Sequence, residues 1–161
     1  MRLKNFLAGI IIFLCVGTAL FLQIKFRLNP CPLCILQRMA FLALGLTFFF
    51  FSFIPLNRTM LFLESFLLLI FSGSGLIFSG RQIYLQHLPP GSAEGCGPGF
   101  DYLFSNLPWQ QALNLILKGS GECALVDWRF LGMSMAEYAA IILFISFLWA
   151  FYLFIKSIKG K

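Results

Sequence analysis

Apolar and polar positions along this chain fall into long blocks and do not alternate. Four stretches are apolar almost without interruption: 6–24, 35–54, 60–80 and 138–155. The first and last hold no charged residue, the second only Arg38 and the third only Glu64, each near the start of its block. A helix rising about 1.5 Å per residue crosses a hydrocarbon layer of about 30 Å in roughly 17–25 residues. All four blocks lie in that range, so the pattern predicts four transmembrane helices. Between them fall a short outer loop (25–34), a tight inner turn ("PLNRT", 55–59) and a long outer segment (82–137).

A fifth pattern lies within the long segment. In "NLPWQQALNLILKG" (106–119), Trp109, Ala112, Leu113, Ile116 and Leu117 recur at helical spacing and form one apolar stripe. Asn106 suits a cap, Pro108 a first turn and Gly119 an end. The expectation is a short amphipathic helix lying on the outer membrane surface, against lipid, with packing on top of the bundle as the alternative. The stretches on either side, "LPPGSAEGCGPGF" and "GSGECA", are rich in glycine.

Composition supports the same conclusion. The chain has 161 residues, of which 60% are hydrophobic, 21 are phenylalanine and 11% are charged. Charge so sparse cannot cover a soluble domain. The expected fold is an all-α integral membrane protein, a single membrane domain over 1–161 built as a four-helix transmembrane bundle. The first block follows Arg2 and Lys4 as a signal peptide would, but it outruns the about 7–15 apolar residues of such a segment.

Charge leaves the orientation nearly balanced. Arg2, Lys4, Arg58, Lys156, Lys159 and Lys161 fall on the side of the termini, and Lys25, Arg27, Arg38, Arg81, Lys118 and Arg129 on the other. Lys118 lies far from any helix end and weighs least, while the tails concentrate cations without acids, so both termini are expected in the cytoplasm. The net charge of +6 is accounted for by tails and helix ends, and nothing points to nucleic acid. Arg81 reads as a helix-end anchor.

The cysteines sharpen this picture. Cys15 lies mid-span and reads as a small hydrophobe. Cys31, Cys34, Cys96 and Cys123 all map to the outer loops. Four cysteines on one non-cytoplasmic face read as two disulfides, Cys31–Cys34 and Cys96–Cys123. The first closes the small ring "CPLC" used in thiol–disulfide exchange. The second pair, taken alone, reads as a structural bridge.

In "NPCPLCILQR", Pro30 and Pro32 delay the helix, which should begin near Pro32 or Leu33 with Cys34 in its first turn. Unpaired N–H groups and the positive end of the helix dipole there favour a thiolate. Arg38, four residues on, shares the face of Cys34. A cation so placed either snorkels to the headgroups or serves an anionic or electron-accepting ring dissolved in lipid.

"NPCPLCILQR", the segment "SGECALVDWRFLGM" before the last helix, and the four-helix layout together resemble the disulfide bond formation protein B (DsbB) family, over essentially the whole chain. The resemblance implies a quinone-dependent protein-disulfide oxidoreductase of the bacterial inner membrane, with its cysteine loops periplasmic. A reduced DsbA-like thioredoxin-fold partner would attack the outer disulfide at Cys96. Cys123 and Cys96 would pass electrons to Cys31–Cys34, and thence to ubiquinone or menaquinone and the respiratory chain. It further implies that Cys31 is the more exposed of its pair, that Cys34 lies against the quinone, and that Arg38 polarises the quinone and steadies the Cys34 thiolate. His87 in "RQIYLQHLPP" matches loosely a quinone-proximal position, against the plainer reading of a solvated loop histidine.

Three other readings compete with this one. A tetraspanin-like scaffold with structural disulfides lacks its Cys-Cys-Gly signature here. A zinc site from the four outer cysteines is disfavoured by an oxidising compartment. A vitamin K epoxide reductase-like enzyme shares the relay logic, but the Gln-Arg after C-x-x-C and the segment before the last helix favour the DsbB pattern.

Overall fold

A computed structural model describes residues 2–27, 31–55, 57–88, 105–118 and 129–159. Cys96, Cys123 and their pairing lie outside the described residues. The elements, in chain order, are α1 (Arg2–Phe26), α2 (Pro32–Phe53), α3 (Arg58–Gln86), α4 (Trp109–Lys118), β1 (Arg129–Phe130), β2 (Met133–Ser134) and α5 (Met135–Lys159).

Four of the helices, α1, α2, α3 and α5, are long and apolar enough to cross a membrane. They bury little of themselves against one another, since only 17% to 44% of each apolar window is covered. Large side chains such as Ile24, Leu14, Phe21 and Phe50 stand more than half exposed. So much bare apolar surface has a favourable solvent only in lipid.

Neighbouring helices pack in sequence, α1 on α2, α2 on α3 and α3 on α5. Glycine permits the closest approaches. A Cβ on Gly9 would lie 3.4 Å from the Gly45 carbonyl oxygen, and one on Gly75 would meet both Leu143 methyls at 2.9 Å. Between membrane helices, such small residues let the backbones close and dispersion act. The main core is built from Ile12 and Val16 of α1, Phe41, Leu44 and Phe48 of α2, Leu68 of α3, and Leu143, Ala150 and Leu153 of α5.

The helices outrun the apolar blocks that announce them. α3 continues six residues beyond the predicted 60–80 to Gln86, and α5 runs from Met135, not Tyr138, to Lys159. The predicted outer segment 82–137 is therefore shorter at both ends. Helical hydrogen bonding does not stop where apolarity stops, and Gln82 and Leu85 turn inward and are buried. At α5, Ser134 and Glu137 form a capping box: the Ser134 N–H donates to Glu137 Oε2 at 2.6 Å and the Glu137 N–H to Ser134 Oγ at 3.4 Å.

Just before it, β1 and β2 pair antiparallel with Phe130 opposite Met133, a hairpin the block pattern did not predict. Leu131 (φ 50°) and Gly132 (φ 82°) form its two-residue turn. Positive φ at both central residues matches the right-handed twist of a hairpin, and glycine at the second bears it without strain.

The amphipathic helix α4 is present, but its stripe divides. Ala112 and Ile116 are buried against Cys31, Leu33 and Leu85 on the bundle top, whereas Trp109 is 68% exposed. The Pro108 carbonyl opens the helix, accepting from Gln111 N and Ala112 N at 2.9 and 3.0 Å. Asn106, expected as the cap, instead donates to Ser105 Oγ at 3.4 Å. At the other end Arg81 donates to the Leu117 and Lys118 carbonyls at 2.7 and 2.9 Å, so the expected helix-end anchor of α3 caps α4.

Candidate redox site

The site begins with the start of α2. Pro32 occupies the first helical position, and Cys31 is the cap, in extended conformation, its sulfur accepting from the Cys34 N–H at 3.4 Å. A proline here loses no hydrogen bond, since the first N–H groups of a helix lack internal partners. The capping geometry folds the C-x-x-C back on itself, and the two sulfurs stand 2.9 Å apart. The predicted helix start and the placing of Cys34 in its first turn agree with the structure.

The exposure of the pair runs opposite to expectation. Cys31 is buried, at 4% exposure, while Cys34 is partly open. The reason is tertiary: α4 lies over Cys31 with Ala112 and Ile116, whereas Cys34 faces a cavity.

That cavity has a volume of about 450 Å³ and lies between α1, α2 and α5 at the cysteine end of the bundle. Its walls are mostly aliphatic and aromatic, among them Leu14, Leu22, Phe41 and Ile142, with Cys34, Gln37, Arg38 and Gln82 as polar points. Cys15, assigned no role from sequence, also lines it. A concave apolar space with a few convergent polar groups is the usual form of a small-molecule site.

Arg38 shares this wall with Cys34, as its four-residue offset predicts, but its guanidinium is held by α1, where it donates to Gln23 Oε1. On the other side of Cys34, Gln82 of α3 donates from Nε2 to the Cys34 sulfur at 3.0 Å. Gln37 donates to Ser79 Oγ at 2.6 Å, and Ser79 in turn to the Gly75 carbonyl at 2.8 Å. This chain of bonds ties the polar face of α2 to α3.

His87 does not join this group. It caps the C-terminus of α3, is exposed, and its Nδ1 lies 2.8 Å from the Ile83 carbonyl oxygen. It is absent from the cavity wall, because α3 continues helically to Gln86 and carries this side chain past the cavity. The structure therefore brings Cys31, Cys34 and Arg38 together, leaves His87 outside, and adds Gln82 and Gln37. The apolar blocks alone place Gln82 in the outer segment and not in a helix. The one local hint is the beat Ser72, Gly75, Ser79, Gln82, a run of small and polar residues at helical steps on one face.

Membrane-spanning helices carrying a cysteine pair at a helix start, against an apolar cavity, define a membrane thiol–disulfide protein. The comparisons make the class specific. The sequence matches the family model described as "Disulfide bond formation protein DsbB" over residues 1–153. It is 40% identical over 140 residues to the "Disulfide bond formation protein B" of Methylobacillus flagellatus, covering 87% of this chain and 84% of that protein. Proteins with the same description from Marinobacter nauticus and Acinetobacter baumannii are 38% and 37% identical, covering 86% and 88% of this chain and 84% and 85% of those proteins. No solved structure matches the chain. The chain belongs to the DsbB family, multi-pass membrane proteins of disulfide bond formation.

Proposed function

We propose that this chain reoxidises a DsbA-like thioredoxin-fold dithiol protein in the periplasm and passes the electrons to a quinone of the bacterial inner membrane. One observation carries the reading: the Cys34 sulfur lies in the wall of an apolar cavity of about 450 Å³, beside a tethered arginine and a buried glutamine. A lipid-soluble redox ring needs such a place. The apolar lining suits its body, and Arg38 and Gln82 suit its polar atoms in its two redox states. When bound, a quinone supplies an acceptor for two electrons and two protons.

The remaining chemistry belongs to the chain. Two thiols give up two electrons and two protons as one disulfide bond forms, so each turn of the relay balances. The partner's first thiolate opens the Cys96–Cys123 disulfide and forms a mixed disulfide with Cys96, leaving Cys123 reduced. The partner's second thiol then closes the partner's own disulfide and frees Cys96, and Cys96 and Cys123 pass the electron pair to the Cys31–Cys34 disulfide. The N–H groups at the start of α2 stabilise the sulfur that carries negative charge. The apolar lining excludes water from that sulfur. Both termini face the cytoplasm in this reading, and the cysteine end faces the periplasm.

The test is quinone reduction by the purified chain in detergent, with a reduced DsbA-like protein as donor. Turnover should vanish in Cys31→Ser and Cys96→Ser. Full activity in Cys96→Ser would reduce the outer pair to a structural bridge. No turnover by the unaltered chain with ubiquinone or menaquinone would end the quinone reading.

A further inference from the structure

Gln82 has an unusual pair of environments. Its Nε2 donates to the Cys34 sulfur at 3.0 Å, while its Oε1 is buried and meets no hydrogen-bond donor among the described residues. The residue is 5% exposed and lines the cavity. A buried carbonyl oxygen without a donor is costly, and where it opens on a cavity a ligand can supply the donor. The other such oxygen among the described residues, Glu64 Oε2, is not part of the cavity wall. The neighbouring polar groups are already engaged. The Thr18 hydroxyl donates to the Leu14 carbonyl at 2.8 Å, the Tyr138 hydroxyl to the Phe130 carbonyl at 2.9 Å, and Gln37 to Ser79.

We propose that Gln82 is a positioning residue for Cys34, whose carboxamide N–H holds the sulfur and whose carbonyl oxygen receives a hydroxyl of the reduced ligand in the cavity. The second half rests on the quinone reading above; the first does not. An amide carbonyl only accepts hydrogen bonds. It has nothing to offer a quinone carbonyl, which also accepts. Once two thiols have become a disulfide and their two electrons and two protons have converted the carbonyls to hydroxyls, a donor faces Oε1. Arg38 supplies the complementary group, a donor suited to the oxidised ring. The wall is thus matched to both redox states of its ligand, with a different residue for each.

The amide N–H acts on Cys34 by favouring the charged sulfur. Among the described residues, the other ionisable groups beside Cys34 or in the wall it shares are Cys31 at the cap of its helix, Arg38 of α2, Cys15 of α1 and Tyr138 of α5. α3 presents the neutral Gln82, and α4 packs there through Ala112 and Ile116.

The test uses the full-length chain with Cys34 as its sole cysteine (Cys15→Ala, Cys31→Ser, Cys96→Ser, Cys123→Ser). The rate of alkylation by iodoacetamide is followed against pH in detergent. Gln82→Leu should move the midpoint about one pH unit upward, and Gln82→Glu, which sets an anion beside the sulfur, further still. In the chain with all its cysteines, Gln82→Leu should also weaken product inhibition by hydroquinone about threefold to tenfold, a larger change than in the KM for quinone. Superimposable alkylation profiles in both folded variants would overturn the positioning role. Moved midpoints with unaltered product inhibition would overturn the role of the oxygen. If the midpoints move while the unaltered chain reduces no quinone, the quinone reading fails and the Gln82–Cys34 contact stands. Should Gln82→Leu not fold, Gln82→Glu carries the alkylation test and Gln82→Met the inhibition test.

Discussion

The two ends of the bundle both bury polar groups, yet they are built for different purposes. At the terminal end, Asn5 of α1 donates to Glu64 Oε1 of α3 at 2.6 Å, with both residues at or below 1% exposure. At the same end Phe6 packs against Phe49 and Phe53, and Lys4 lies over the Trp149 ring of α5. At the cysteine end, Cys34, Gln37 and Gln82 are linked across α2 and α3, but α1 and α5 leave a cavity between them. A buried polar pair in a closed space is a staple between helices. Similar groups beside an open apolar space are a site. Burial of polarity therefore does not locate function here; the adjoining cavity does.

This contrast can be broken by mutation. The largest effect is expected at the sulfurs: Cys31→Ser or Cys34→Ser should abolish thiol–disulfide turnover while the melting temperature stays the same, serine being an effective helix cap at 31. Purified variants assayed for turnover and thermal unfolding check both halves. Next comes Arg38→Ala, which removes a charged donor from the cavity wall. The KM for the electron acceptor should rise roughly tenfold to a hundredfold, with kcat affected less. An unchanged KM would mean that Arg38 serves only to tie α2 to α1 through Gln23.

The terminal end should respond in the opposite sense. Asn5→Ala leaves the buried Glu64 carboxyl without its donor and should cost about 1–3 kcal/mol of stability, with turnover per folded molecule unaltered. Removing both partners, as Asn5→Ala with Glu64→Leu, should recover most of that loss, since the polar group needing a partner has gone. A loss of turnover in folded Asn5→Ala would show that the two ends are coupled and would undo the contrast.

The smallest effects separate two arginines with the same task. Arg58 at one end of α3 donates to the Ser157 and Ile158 carbonyls of α5 at 3.1 and 2.9 Å; Arg81 near the other end does so for α4. A cation at a helix C-terminus contributes about 0.3–1 kcal/mol. Arg58→Ala and Arg81→Ala should each lower stability by that order. Only Arg81→Ala should make α4 more susceptible to limited proteolysis, and with it raise the alkylation rate of Cys31 beneath.

Much of this architecture was readable along the chain because its signals are local. Membrane insertion sums the transfer free energies of single residues, so unbroken apolar blocks report four spans whatever the helices touch. The start of α2 was equally plain, since Pro30, Pro32 and the cysteine spacing act within one turn. That Arg38 shares a wall with Cys34 followed from helical periodicity. The ends of α3 and α5 were less legible, because helices persist through polar residues wherever another helix covers them, as it covers Gln82. The hairpin before α5 leaves no such signal, since its strands are two residues long and its turn holds a single glycine.

Other features depend on contacts between residues far apart in the chain, and no pattern of spacing encodes them. Cys34 and Gln82 are 48 positions apart and Asn5 and Glu64 are 59, yet each pair is hydrogen-bonded. Hydropathy could mark Glu64 as a charge near the start of a span but not supply its partner. The same holds for exposure: Cys31 and Cys34 belong to one four-residue motif, and only the docking of α4 over one and the cavity beside the other make them unequal. His87 shows the converse: a loose resemblance places it by the quinone, whereas the helical course of α3 leaves it exposed, as the plainer reading of a solvated histidine has it. The chain's own pattern therefore established the membrane class, the spans and the reactive motif, all consequences of local free energies. Which side chains meet around that motif was left to helix packing, where close approach at a few glycines sets which faces turn toward each other.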